Sequence, residues 1–189
     1  MKMRLIPIAF LAAFAAAPAL AGEQFVDRDG RADFGYDVVA YHTDLAAVPG
    51  VEEFAATYNG ATFLFASAEN RDLFAADPAR FAPAYDGHCA YALTRNKKLT
   101  VDPEAFSIVD PSTLTLVDPA TYDPRTDAGV LYLNYSPSVN ADFNADIPGN
   151  IAAADLAWDD CLELRPAARP NKGLRDLFPG RRPRDCPAV

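Results

Sequence analysis

Two histidines, His42 and His88, and three cysteines, Cys89, Cys161 and Cys186, are the residues of this 189-residue chain whose types suit nucleophilic or soft-metal chemistry. The run Asp86-Gly87-His88-Cys89 sets an imidazole beside a thiol. If Asp86 caps a short helix, Cys89 falls in its first turn, where backbone N–H groups and the dipole favour a thiolate. Thiolate with imidazole is a donor set for copper or zinc. Adjacent side chains on a helix point about 100° apart, so His88 and Cys89 would share one ion only from a non-helical turn. The same residues fit a Cys–His nucleophile, with His88 or His42 activating Cys89, but no third residue that would orient the base stands out. The plainer alternative makes Cys89 a small buried apolar residue and His42 an exposed histidine at a strand end.

Other catalytic signatures are missing. The chain has no phosphate-binding glycine loop, no Gly-x-Ser-x-Gly, no His-Glu-x-x-His and no Cys-x-x-Cys. Asp27-Arg28-Asp29-Gly30 begins like a calcium loop, but Arg31 and Val38 stand where two further oxygen ligands would be needed. The formal charge of −9 excludes a sequence-independent grip on nucleic acid or anionic lipid.

Residues 1–21 open with Lys2 and Arg4, continue through an apolar run and end in Ala19-Leu20-Ala21, the pattern of a secretory signal peptide cleaved after Ala21. The apolar run is shorter than the roughly 20 residues of a spanning helix, and no second span follows, so the mature chain is expected to be periplasmic or secreted. Export permits oxidation, and a disulfide between Cys161 and Cys186 would close the basic, proline-rich tail of residues 161–189. Cys89 is then left unpaired.

The elements that must position these residues follow from pattern. Phe54, Ala56 and Tyr58 alternate ahead of Asn59-Gly60 and the aromatic run Ala61 to Phe65, a β-hairpin signal. Ser67 is suited to cap a helix carrying Leu73, Phe74 and Phe81, with Pro78 marking a break or a new first turn. Ile108-Val109 and Leu131 to Tyr135 read as strands, separated by a surface-loop insertion at about 110–128. Ser136-Pro137 opens a helix, Pro148-Gly149 ends it, and Asn150 caps another whose Ile151, Ala154 and Trp158 face the core. The expectation is one small α+β domain with a β hairpin, short strands and packed helices.

Three stretches, Phe34-Gly35-Tyr36-Asp37-Val38-Val39-Ala40-Tyr41, Tyr58-Asn59-Gly60-Ala61-Thr62-Phe63 and Ala66 to Phe74 on to Tyr85, resemble the YHS domain family. The likeness continues through Gly87-His88-Cys89-Ala90-Tyr91-Ala92, Leu131 to Tyr135 and Asp146 to Ile151, and is nearest the small secreted bacterial branch. It implies a YHS-like domain over residues 34–160; residues 22–33 ahead of it read, from their own composition, as a flexible acidic leader. Shorter relatives hold metal through cysteines in two places, which here read Val38-Val39-Ala40-Tyr41 and Phe65-Ala66-Ser67-Ala68; neither has a cysteine, so that thiolate cluster does not transfer. Because His42 and His88 both fall in the shared core, the resemblance adds His42 to His88 and Cys89 as candidate ligands for copper or zinc. The leading expectation is an exported binding module whose partner is a metal ion or a periplasmic protein. A thiol-dependent enzyme, or an interaction protein with no small ligand, is the alternative.

Overall fold

The computed structural model describes residues 24–161. The expected signal peptide and the basic tail with Cys186 lie outside the described residues. Among the described residues no helix is long and apolar enough to cross a membrane.

The hairpin forms where the alternation and Asn-Gly require it. Strand β1 (Val51–Tyr58) pairs antiparallel with β2 (Ala61–Phe65), and Asn59 and Gly60 take φ of 47° and 77° at the turn. A short helix, α1 (Ala40–Thr43), precedes it, so His42 lies in a helix and not at a strand end. After β2 the Ser67 side chain accepts from the Asn70 N–H and starts α2 (Ala68–Ala76), and Pro78 opens α3 (Pro78–Phe81) rather than extending it. Phe63, Phe65, Phe74 and Phe81 are buried together with Val38, Val39 and Tyr41 in one core.

The second half adds α4 (Ala90–Leu93) and a three-stranded antiparallel sheet. Its strands are β3 (Asp102–Asp110), β4 (Thr115–Leu116) and β5 (Val130–Asn134), in the order β4-β3-β5. The two-residue period of β5 sends Leu131 and Leu133 into the hairpin core and Tyr132 into a second core. That second core is completed by Leu93, by Phe143 of α5 (Pro137–Ala145) and by Ile151 and Ala154 of α6 (Ile147–Cys161). The result is the expected small α+β domain, with the sheet shared between two cores.

Three local readings are corrected. Pro148 and Gly149 lie inside α6 rather than ending α5; Asp146 accepts from the Gly149 N–H at 3.1 Å, and Asn150 donates back to the Asp142 and Phe143 carbonyls. The stretch read as a flexible leader is packed from Gln24 onward: Val26 bridges Ala32, Arg31 bridges Thr62, and Phe25 and Ala32 are buried. Its Asp27 carboxylate is spent on the Asp29 and Arg31 amides and the Arg31 side chain. The segment 110–128 also does more than cover surface, since β4 pairs back on β3 and the Tyr122 hydroxyl reaches His42.

The expected disulfide is likewise corrected. Among the described residues none is formed, and Cys89 is a free thiol. Cys161 closes α6, its expected partner Cys186 lies outside the described residues, and the described domain is held by its two packed cores.

Candidate functional site

His42 sits in α1 and is 2% exposed. Its Nδ1 shares a 3.0 Å hydrogen bond with the Tyr122 hydroxyl, and its ring meets Phe81 edge-on. Burial, aided by the positive charge of Arg80, pushes its pKa down to about 4, so it is neutral at neutral pH. Arg80 in turn donates to the Pro124 and Asp127 carbonyls and straps the 110–128 segment over this histidine.

His88 has a different set of neighbours. Its ring packs against Phe25 and Trp158, and Nδ1 lies 2.9 Å from the Tyr85 carbonyl. A carbonyl only accepts, so Nδ1 carries the proton and Nε2 keeps a lone pair. Burial first, then the charge of Lys98, pushes the pKa down to about 3 against the opposing Tyr85 bond.

Cys89 caps α4 instead of lying in its first turn, and its own amide donates to the Leu99 carbonyl at 3.0 Å. A four-residue helix supplies little dipole. The thiol is fully buried and directed at Asn134 Oδ1, 3.7 Å away, and burial raises its pKa against the backbone bonds that lower it. A thiol that is sealed and protonated is not an activated nucleophile. The three sequence-predicted residues share no partner, and among the described residues no three of His, Cys, Asp and Glu are placed to hold a metal ion. The expected copper or zinc site of Cys89, His88 and His42 is therefore not assembled, because three different packing environments hold the three side chains.

The structure concentrates unusual chemistry elsewhere, on two short left-handed turns. Asp33, Phe34 and Gly35 take φ of 47°, 55° and 80°; Tyr85, Asp86 and Gly87 take 55°, 51° and 78°. Each non-glycine residue in that region costs about 1–2 kcal/mol, and such strain persists only where surrounding contacts over-determine it. Here the amides of Gly35 and His88 bond back to Ala32 and Tyr85, and the Phe25 N–H donates to the Asp86 carbonyl at 2.8 Å. Phe25 packs on both Phe34 and His88, which ties one turn to the other. The approach is close enough to require glycine at 87, since a Cβ there would lie 2.7 Å from Asp33 Oδ1 and 3.1 Å from Gln24 Nε2.

On and beside these turns several polar groups are unsatisfied. Among the described residues, Gln24 Nε2 and Oε1, both Asp33 oxygens, Asp86 Oδ2 and His88 Nε2 are buried side-chain atoms without a hydrogen-bond partner. Buried polar groups are ordinarily satisfied, so this concentration asks for an explanation. Burial alone pushes the Asp33 carboxyl up to about 8. It raises Asp86 as well, although the nearby Lys98 charge works against it.

Sequence reasoning passed over Gln24 and Asp33, as it did two satisfied polar residues. Asp37 Oδ1 accepts from the Val39 and Ala40 amides and Oδ2 from the Ala66 amide and the Asn70 side chain. Asn134 accepts from the Tyr91 amide and donates to Asn140, which donates to the Phe106 carbonyl. The only linear signal for the turns is a glycine closing each run, Asp33-Phe34-Gly35 and Tyr85-Asp86-Gly87.

No curated protein and no solved structure matches the chain. The YHS domain family matches residues 39–85, a segment that contains His42, the hairpin, α2 and α3 and stops at Tyr85, short of His88 and Cys89. The match is narrower than the resemblance over 34–160. On a hairpin, a capped helix and the helical segment of His42, this chain carries a YHS domain over residues 39–85.

Proposed function

We propose that this chain is an exported, non-enzymatic binding module built around its YHS domain, akin to the small secreted bacterial branch of that family, and that it binds a small polar guest between the two left-handed turns. The observation that carries this reading is the buried Asp33 carboxyl, without a partner among the described residues, which converges with Gln24 Nε2 on Gly87. A preorganised set of buried polar groups on strained backbone is the kind of place where a fold stores binding capacity. The sealed thiol supports binding over thiol catalysis, since Cys89 is protonated and closed to solvent.

Two measurements test the choice. In native protein at neutral pH a thiol reagent is expected to leave Cys89 untouched, with reaction appearing only on unfolding; fast native reaction would restore the thiol enzyme. Protein purified without an affinity tag is expected to carry a small guest, seen as a mass difference between native and denatured spectra. Stoichiometric copper or zinc, retained in Asp33→Asn and lost in Cys89→Ser and His88→Ala, would overturn the reading in favour of a metal centre.

A further inference from the structure

The segment 110–128 lies over His42 on a small number of attachments. Residues 118–128 are exposed apart from Tyr122 and Pro124, which are partly buried. Their base is pinned where the Val117 N–H donates to the Ile108 carbonyl of β3. Beyond that point the attachment runs through Arg80, Tyr122 and Arg125. Arg80 of α3 donates to the Pro124 and Asp127 carbonyls, and Tyr122 packs on the hairpin core and brings its hydroxyl to His42. Arg125 meets Glu69 of α2 at 3.6 Å in an exposed pair, which adds little. The turn at the tip also bonds to itself: the Asp127 N–H donates to the Asp123 carbonyl at 2.7 Å and the Arg125 N–H to the Asp123 carboxylate at 2.9 Å. Lifting the tip breaks its bonds to Arg80 and His42 and leaves its own intact.

His42 is the group that this cover keeps buried. Its Nε2 has no hydrogen-bond partner among the described residues. In a protonated ring both nitrogens donate, so the Nε2 proton would be buried without an acceptor. The charged and titratable groups that act on His42 or on Tyr122 are Arg80 from α3 and Tyr122, Asp123 and Asp127 from the cover; Phe81 offers only its ring. Arg80 repels an imidazolium. The two aspartates are exposed and already accept from the Asp123 and Arg125 amides and the Thr126 hydroxyl. We propose that residues 118–128 form an acid-released cover, in which protonation of His42 favours an open arrangement that bares His42, Phe81 and Arg80 to solvent. His42 is the only histidine within residues 39–85, the segment that matches the YHS domain, and the cover lies outside that match. The proposal concerns access to that domain and is independent of the pocket reading above.

The sign follows from linkage. With the cover closed the His42 pKa is pushed down to about 4, and in an open arrangement the ring returns toward its ordinary 6.5. Closure is fully effective above pH 6.5 and is lost as pH falls toward 4. Between pH 7 and pH 5 the open fraction should rise about 20-fold.

The test digests the full chain at pH 7 and pH 5 with a broad-specificity endopeptidase active at both, and divides each rate by that of a synthetic peptide of residues 117–129. Where opening is fast and cleavage slow, the quotient reads the open fraction. In wild type it should rise about 20-fold at pH 5, with the first cuts confined to residues 118–128, and in His42→Gln it should stay flat. Tyr122→Phe removes the hydroxyl bond but keeps the ring over His42, so it should be cut faster at both pH values with the pH ratio preserved. If His42→Gln does not fold, the wild-type ratio and that of Tyr122→Phe decide. An unchanged quotient in wild type, an equal rise in His42→Gln, a ratio lost in Tyr122→Phe, or first cuts spread through β1 and α2 would each overturn the proposal.

Discussion

Asp33 and Asp37 lie four residues apart, and both are fully buried. Asp37 is surrounded by donors: it starts α1 through two amides and clamps the end of β2 and the side chain of Asn70 through two more bonds of 2.7–2.8 Å. Among the described residues the Asp33 carboxyl meets no hydrogen-bond donor. One carboxylate holds the hairpin, α1 and α2 together; the other is held in place by a strained turn and bonds to nothing. Burial by itself therefore says little about function. Satisfaction separates a structural acid from one kept available.

The largest effect expected from this contrast is at Asp37. Asp37→Ala leaves three backbone amides and a side-chain amide without acceptors, and should cost about 3–5 kcal/mol in denaturant unfolding. A loss below about 1 kcal/mol would mean that water replaces the carboxylate, and the distinction between the two acids would collapse.

Asp33→Asn should act in the opposite direction, raising stability at pH 7 by about 1–3 kcal/mol. The pH dependence checks the cause. Burial moves the Asp33 carboxyl from 3.8 up to about 8, so between those values the folded chain keeps a proton that the unfolded chain has released. Its contribution is fully present below about pH 4 and is lost as pH rises toward 8. His42 and His88 are shifted the other way, from 6.5 down to about 4 and about 3. Their contribution is present above pH 6.5 and is lost as pH falls below it. Wild type should lose stability on both limbs, and Asp33→Asn only on the acid one. Identical slopes between pH 5 and 8 would place the Asp33 proton elsewhere.

The smallest effect is at the Asp37 clamp's outer edge. Ser67 caps α2 through the Asn70 N–H at 3.1 Å, while the Asn70 side chain stays on Asp37. Ser67→Ala should cost about 1 kcal/mol in thermal unfolding, as for an ordinary N-cap. A cost near that of Asp37→Ala would show that cap and clamp act as one unit.

Most of the hairpin half is legible in the linear sequence. Alternation, Asn59-Gly60, Ser67 and Pro78 each act through local geometry, and each stands where those rules put it. The readings that failed depended on neighbours distant in the chain. Pattern alone lets His42 stand exposed at a strand end or serve as a ligand, but α1 and the Arg80 strap bury it under Tyr122, 80 residues away. The thiolate expected at Cys89 depended on a helix turn and on access, and Leu99 and Asn134 remove both. Pro148-Gly149 read as a helix end because each residue is a helix breaker, yet Asp146 makes the pair a helix start.

What the sequence by itself determined was the class of fold, the hairpin and its capped helix, and the presence of a YHS domain, because period, turn chemistry and caps are properties of adjacent residues. Only the tertiary structure decided which polar residues are spent and which are held open. That depends on whether a donor from elsewhere in the chain arrives. Asp37 meets Ala66 and Asn70, about 30 positions on, and is satisfied; Asp33 meets Gly87, more than 50 positions on, which offers no side chain at all.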